Sequence, residues 1–544
     1  MADLQPSTAD LQRPSIPSMV DGLTPDQRKV LFCLLKSKSD KAVKVSKLSA
    51  YVSEHTACHR HDEQRLATAI IRMTHIFVGS NNISLLHPRG QIGTRYYAGE
   101  DCASPEDIST KLLPITRSIF HKDDDILLDY LNEDGKSIEP TWYVPILPMI
   151  LVNGAEGTGT GYSTYIPNCN PRDIIANLRR LLNDEYTKPM HPWYRGFKGS
   201  IEKTNTEAGG EKYTVTGVIE AVDSTRLRIT ELPIHCWTMD YRDFLKSLTP
   251  DAKNSTKLLF IQEFMVNGHN EDVDFEVILS EENMNIAKKE GLENKFKLTS
   301  TIETSNMHLL DSDGNVQKYD TPEQILEEFF KVRLGIYEKR KIALLENIEP
   351  DLRKLDNEVR FICGIVHGDI IVSNRKTAEL LVELRRKNFD PFPKKLKAAK
   401  PGPAKRVNVN DYEYLLSMPI STLTQQKMQK LITEKDKLEN EVEKLRQTTP
   451  RSLWLSDLDT LEKELDVLDR IDEEAAEEMR ARREPYGRIG FGRRAAHMRP
   501  SQKTADKTQK VEHATSEIAG NAAEQMVVKR VAPRKKPAKM VTIS

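Results

Sequence analysis

Gly90-Gln91-Ile92-Gly93-Thr94-Arg95-Tyr96-Tyr97-Ala98-Gly99-Glu100-Asp101-Cys102-Ala103-Ser104-Pro105-Glu106-Asp107-Ile108 is the stretch on which the reading of this chain turns. Its three glycines and its proline break any helical or strand periodicity and mark a loop. From Arg95 to Asp107 it sets one base against Glu100, Asp101, Glu106 and Asp107, a local balance of −3. Each such acid near a phosphate costs on the order of 1 kcal/mol in Coulomb energy close to water, so this loop is expected to avoid a nucleic-acid backbone.

The asymmetry of charge extends to the whole chain. Its 544 residues carry a net charge of −1, but residues 481–544 hold 15 Lys/Arg against 5 Asp/Glu, which leaves an acidic body and a basic tail. Such a length exceeds one ordinary core and implies several domains. With 38% hydrophobic and 30% charged residues, the composition suits long exposed helices better than a compact enzyme. No long apolar run or N-terminal signal pattern is present, so an intracellular protein without membrane contact is expected. The six cysteines form no CxxC pair, and Cys58, His59 and His61 crowd too closely to close a tetrahedral site alone; no metal and no cofactor is expected.

Along the chain, residues 1–14 read as disordered, and residues 15–140 as short amphipathic helices, among them Pro25–Lys36 and Asp62–Val78, in the pattern of a helix-turn-helix module. Residues 141–320 alternate as strands do, at Lys212–Ile219, Leu227–Thr230 and Val273–Ile278, giving a mixed α/β region. Thr321 and Pro322 signal a helix start, and Ile325, Phe329, Val332, Ile336 and Leu344 continue it towards Arg360. A second long helix from Leu423 to Gln447 and a third from Leu455 point to an antiparallel coiled-coil arm with a small globular end within residues 321–479. Residues 480–544 form a basic segment expected to be disordered.

Ordered markers run through most of this length: Ser15-Ile16-Pro17-Ser18-Met19-Val20-Asp21-Gly22, Gln27-Arg28-Lys29-Val30-Leu31-Phe32, Phe77-Val78-Gly79-Ser80-Asn81-Asn82, Gln91-Ile92-Gly93-Thr94-Arg95, Pro148-Met149-Ile150-Leu151-Val152-Asn153-Gly154-Ala155-Glu156-Gly157, Phe197-Lys198-Gly199 and Tyr414-Leu415-Leu416-Ser417-Met418-Pro419. Together they resemble the breakage-reunion region of eukaryotic type II DNA topoisomerases. The resemblance implies an α/β multidomain fold: a winged-helix domain, a mixed α/β tower domain, and a long antiparallel coiled-coil dimer gate. It also implies ATPase and metal-binding Toprim domains upstream of residue 1. The Gly154–Gly161 stretch lacks the Lys-Ser/Thr ending of a phosphate loop.

By the same resemblance, Glu106 and Asp107 stand where the family has Arg-Tyr, the tyrosine being the group that joins DNA. A carboxylate at that point repels the phosphodiester, so the chain is expected to be a truncated paralogue that is not an enzyme. Thr158 occupies the position of the family's wedging isoleucine, and Asp26 and Asp62 replace glycines near phosphate-contacting segments. Candidate DNA contacts are Arg28, Lys29, Lys44, His61, Gln91, Thr94, Arg95 and Lys198. Arg534, Lys535, Lys536 and Lys539 resemble a nuclear import signal, in a tail suited to binding chromatin. The implied partners are DNA or chromatin and a second subunit, either a copy of itself or full-length topoisomerase II, with no small-molecule substrate. The implied setting is nuclear and chromosomal, in mitotic chromosome segregation and in sister-chromatid and centromere resolution. Two alternatives stay open: an active topoisomerase subunit completed by a partner chain, and a chromosomal scaffold without DNA contact.

Overall fold

The computed structural model describes residues 16–37, 41–56, 63–133, 135–158, 163–204, 211–249, 260–268, 272–373, 375–392, 411–419 and 424–483. His61 and the import-like residues Arg534, Lys535, Lys536 and Lys539 lie outside them.

The first region holds α1 (Pro25–Lys36), β1 (Val43–Lys44), α2 (Val45–His55) and α3 (Glu63–Thr74). α1 begins where its local chemistry dictates. The Thr24 side chain accepts the Gln27 N–H, the Gln27 side chain accepts the Thr24 N–H at 2.9 Å, and Pro25 occupies the first turn, where a missing N–H costs nothing. β1 pairs antiparallel with β2 (Ser109–Thr110), which is followed by α4 (Pro114–Ile119). Two hairpins, β3 (Tyr130–Glu133) with β4 (Lys136–Pro140) and β5 (Ala155–Thr158) with β6 (Ser163–Ile166), flank α5 (Met149–Asn153), and α6 (Pro171–Leu182) closes this part.

Two antiparallel sheets follow. One has the order β13-β8-β7, from β7 (Ser200–Thr204), β8 (Lys212–Thr216) and the later strand β13 (Thr299–Glu303). The other has the order β11-β12-β10-β9, from β9 (Val218–Ala221), β10 (Arg226–Glu231), β11 (Glu263–Val266) and β12 (Phe275–Ile278). Helices α7 (Thr238–Ser247), α8 (Glu281–Glu290) and α9 (Leu292–Lys295) supply the apolar cover of this second sheet, with Tyr241, Leu245 and Met284 in its core. The single strand expected at Lys212–Ile219 is divided. Gly217 breaks it, and the two halves enter different sheets.

A hairpin of β14 (Met307–Leu310) and β15 (Val316–Tyr319) leads into α10 (Pro322–Val366), whose N-cap is Thr321, the residue marked by the sequence pattern. After α11 (Thr377–Arg386) and α12 (Glu413–Leu416), α13 (Gln425–Gln447) returns along α10. Lys341 donates to the Arg446 carbonyl at 2.8 Å while Lys435 pairs with Asp356 at 2.7 Å, a crossed order of contacts that makes the two helices antiparallel. At the far end Phe361, Ile370, Leu380, Leu384, Phe389, Tyr412 and Leu415 form a small separate core.

The last helix, α14 (Pro450–Arg483), returns to the main body. Trp454, Leu458, Leu461 and Leu465 recur at helical spacing and join one hydrophobic core that begins at Met19. Trp454 stacks on Phe330 and Tyr337, with ring centroids 5.2 and 5.3 Å away, and donates its indole N–H to the Ile146 carbonyl at 2.9 Å. Beside it the fully buried Arg333 donates to Asp124 and to the Val144 carbonyl, each at 2.8 Å, and Asp457 receives both Arg340 and the Tyr337 hydroxyl at 2.7 Å. Farther along, Arg172, Arg179 and Arg195 meet Asp459, Glu462, Asp466, Asp469 and Asp472 of α14 in a ladder of exposed ion pairs.

Truncating Trp454 removes a buried aromatic body and leaves the Ile146 carbonyl without a donor. W454A is therefore expected to lower the unfolding free energy of the main body by about 3–5 kcal/mol. A urea titration reads this as a midpoint shifted down at nearly constant slope.

Candidate nucleic-acid interface

The loop from Gly90 to Ile108 is hung from the start of α2. Beyond the β1–β2 pair, Val45 donates its N–H to the Ile108 carbonyl at 3.0 Å and Ser46 to the Pro105 carbonyl at 2.9 Å. A turn closed by Asp107 N–H to the Ser104 carbonyl at 2.8 Å leaves both Glu106 and Asp107 exposed. Deeper in the loop Gly93 has φ of 122°, and a Cβ there would lie 2.6 Å from the Gly99 carbonyl oxygen, so only glycine allows the two strands of the loop to close. Asp101 staples this closure. It accepts the Thr94 N–H at 2.7 Å, the Thr94 hydroxyl at 2.9 Å and the Gln91 amide at 3.0 Å. The acid that lowers the loop's charge is also the acceptor that shapes it.

Three of the cations expected to reach DNA are committed inside the protein. Arg95 is 4% exposed and meets Glu231 of β10 at 2.5 Å; the same carboxylate accepts the backbone N–H of Lys198 at 3.1 Å. Arg28 grips Asp21 through two bonds, at 2.7 and 3.1 Å. Burial alone would lower the Arg28 pKa, but the Asp21 carboxylate outweighs it and holds the guanidinium above its ordinary value. Lys29 faces Glu139 at 3.9 Å, with only 12% of its side chain exposed. Gln91 and Thr94 are turned to Asp101, whereas Lys44 and Lys198 are exposed. Thr158 ends β5, and its side chain is outside the described residues.

The structure brings forward a place that no sequence motif marks. A cleft of about 560 Å³ opens between α1, α3 and the start of β5, with Asp26, Arg65, Arg72, Asn81 and Glu156 among its walls. Arg65 and Arg72 lie on the exposed side of α3, opposite the buried Leu66, Ile70, Ile71 and Met73. Projecting α3 as a helix would have revealed them, because residues seven apart share a face.

This scaffold is shared with known proteins. A family model described as DNA gyrase/topoisomerase IV matches residues 14–459. The chain belongs to the type II DNA topoisomerase family. It is 52% identical to DNA topoisomerase 2 of Arabidopsis thaliana over 497 residues, covering 87% of this chain and 33% of that protein. With DNA topoisomerase 2 of Plasmodium falciparum it shares 42% over 478 residues, 85% of this chain and 34% of the relative. The crystal structure of the Plasmodium falciparum topoisomerase II DNA-binding, cleavage and re-ligation domain superposes with a TM-score of 0.75 at 41% identity, covering 86% of this chain and 64% of that one. The chain thus spans about a third of the length of the curated relatives it matches.

Kinship corrects one expectation. A protein that is not an enzyme was inferred from Glu106 and Asp107, yet the relatives are named DNA topoisomerase 2, an enzyme family, and share about half or two fifths of their residues with this chain. The inference weighed the charge of one exposed turn. Fold and sequence along some 85% of the chain are those of an enzyme family.

The Asp101 staple predicts local behaviour. Losing a charged acceptor costs about 1.5–3 kcal/mol, and the cost falls on the loop rather than on the core. In D101A the Thr94 amide is expected to exchange hydrogen at least roughly tenfold faster, while amides in the buried half of α10 keep their protection.

Proposed function

We propose that this chain forms the DNA gate of a type II topoisomerase, a dimeric platform that holds a duplex across its N-terminal region. The match of residues 14–459 to the family, together with likeness to a domain described as binding, cleaving and re-ligating DNA, carries this reading. In it residues 15–140 serve as the winged-helix module, residues 141–320 as the tower, and residues 321–479 as a coiled-coil arm ending in a dimer gate. Exposed Val366, Ile371, Val372 and Val382 surround the small core at the arm's end, apolar surface that suits a second subunit. That subunit is a copy of the chain or a longer family member.

The tail, with Arg534, Lys535, Lys536 and Lys539, supplies nuclear import and a sequence-independent hold on chromatin. The gate then serves chromosome segregation and the resolution of sister chromatids and centromeres, alone or by modulating full-length topoisomerase II.

Equilibrium binding of the full chain to a 30-base-pair duplex tests the DNA reading. Affinity should fall linearly on a log–log plot against salt. A chain that shows no salt-dependent duplex binding removes the gate assignment. For the arm, sedimentation of an I371E/V372E variant is expected to give monomers where the unaltered chain gives dimers, with no loss of helix content.

A further inference from the structure

The cleft beside α3 offers cations of a different standing from Arg28, Lys29 and Arg95. Arg65 and Arg72 are two helical turns apart, about 10.5 Å along the axis of α3, which corresponds to roughly three base-pair steps of a duplex at 3.4 Å each. Both are exposed and both border the cleft. Thr68 lies between them on the same wall, and Gly154 and Gly157 face it from the β5 side, leaving the opposite wall low.

Arg65 is not idle. Its guanidinium meets Asp26 at 2.8 Å, with 60% of the arginine side chain exposed but only 18% of the aspartate. Asp26 sits in the first turn of α1, where backbone N–H groups and the helix dipole favour a carboxylate whether or not the arginine is present. A pair so exposed on the arginine side is weak and exchanges readily. The arginine can therefore leave at little cost, because the partner it abandons remains stabilised.

We propose that Arg65 and Arg72 are the phosphate-contacting pair of this cleft, and that Asp26 holds Arg65 in an ion pair which an incoming DNA backbone displaces. The assignment rests on the DNA-gate reading and deepens it by naming the side chains that carry the electrostatic contact. The other charged group on the cleft wall is Glu156, exposed on β5, which keeps the empty cleft close to neutral. DNA binding there is thus restrained by two carboxylates, and removing either one strengthens it.

Anisotropy titrations of the full chain with a labelled 30-base-pair duplex, repeated across a salt series, test this. R65Q and R72Q are each expected to weaken binding roughly five- to tenfold at moderate salt and to reduce the slope of log affinity against log salt by about 1, uniformly across duplex sequences. D26N is expected to tighten binding by a few fold, since the Asp26 carboxylate no longer competes with the phosphate for Arg65; the double variant D26N/R65Q should lose that gain. All three positions are surface side chains, and circular dichroism melts identical to the unaltered chain verify that only the contact has changed. Unchanged affinity and slope in both arginine variants overturn the assignment, and an unchanged D26N overturns the displacement step. If the unaltered chain itself shows no salt-dependent binding, the DNA-gate reading fails first and this assignment falls with it.

Discussion

Arg333 is a guanidinium with no exposed surface, and a charge so placed must be answered where it stands. Taking such an ion from water costs several kcal/mol, recovered only by well-aligned partners. Asp124, the Val144 carbonyl and the face of Tyr337, 4.2 Å from the guanidinium carbon, supply them. Each of those partners comes from a different stretch of chain. The requirement to neutralise one cation therefore joins the N-terminal region to the long helix, and through Tyr337 and Asp457 to α14 as well. Neighbouring Arg340 extends the cluster to His121, whose pKa is lowered by burial and by the facing arginine. The aromatic stack on Trp454 then packs against a cluster already fixed in register.

Local signals mark the helices with fidelity where caps are strong. Thr24-Pro25 with Gln27, and Thr321-Pro322, announce the first turns of α1 and α10 at the residues observed. Where a boundary depends on tertiary context, sequence pattern fails. Lys212–Ile219 alternates as one strand would, but at Gly217 the backbone N–H is taken by the Leu298 carbonyl at 2.8 Å, and the chain passes from one sheet to the next. The helix expected over Asp62–Val78 stops at Thr74, whose hydroxyl turns back to the Ile71 carbonyl. No periodicity announces either event.

The candidate interface was legible in its position and less so in its actors. The glycine and proline spacing of Gly90–Ile108 correctly marked a loop, but charge along a sequence does not state where each charge is spent. Arg95 finds Glu231, 136 positions away, and Lys29 finds Glu139; both read as surface bases until the fold supplies their partners. Asp101 was counted as a repulsive acid, whereas its three accepted hydrogen bonds make it the scaffold of the loop. Arg65 and Arg72 escaped notice because no motif contains them, although helical geometry places them side by side.

The continuity of α10 carries a mechanical implication. Its 45 residues run unbroken from the buried Arg333 cluster to the small core at the arm's end. From Arg333 to Val366 the helix extends about 50 Å, so a pivot of only about 5° at its root sweeps the tip through roughly 4 Å. Minor repacking around one guanidinium is thereby geared up into movement on the scale of a side chain at the opposite end of the molecule.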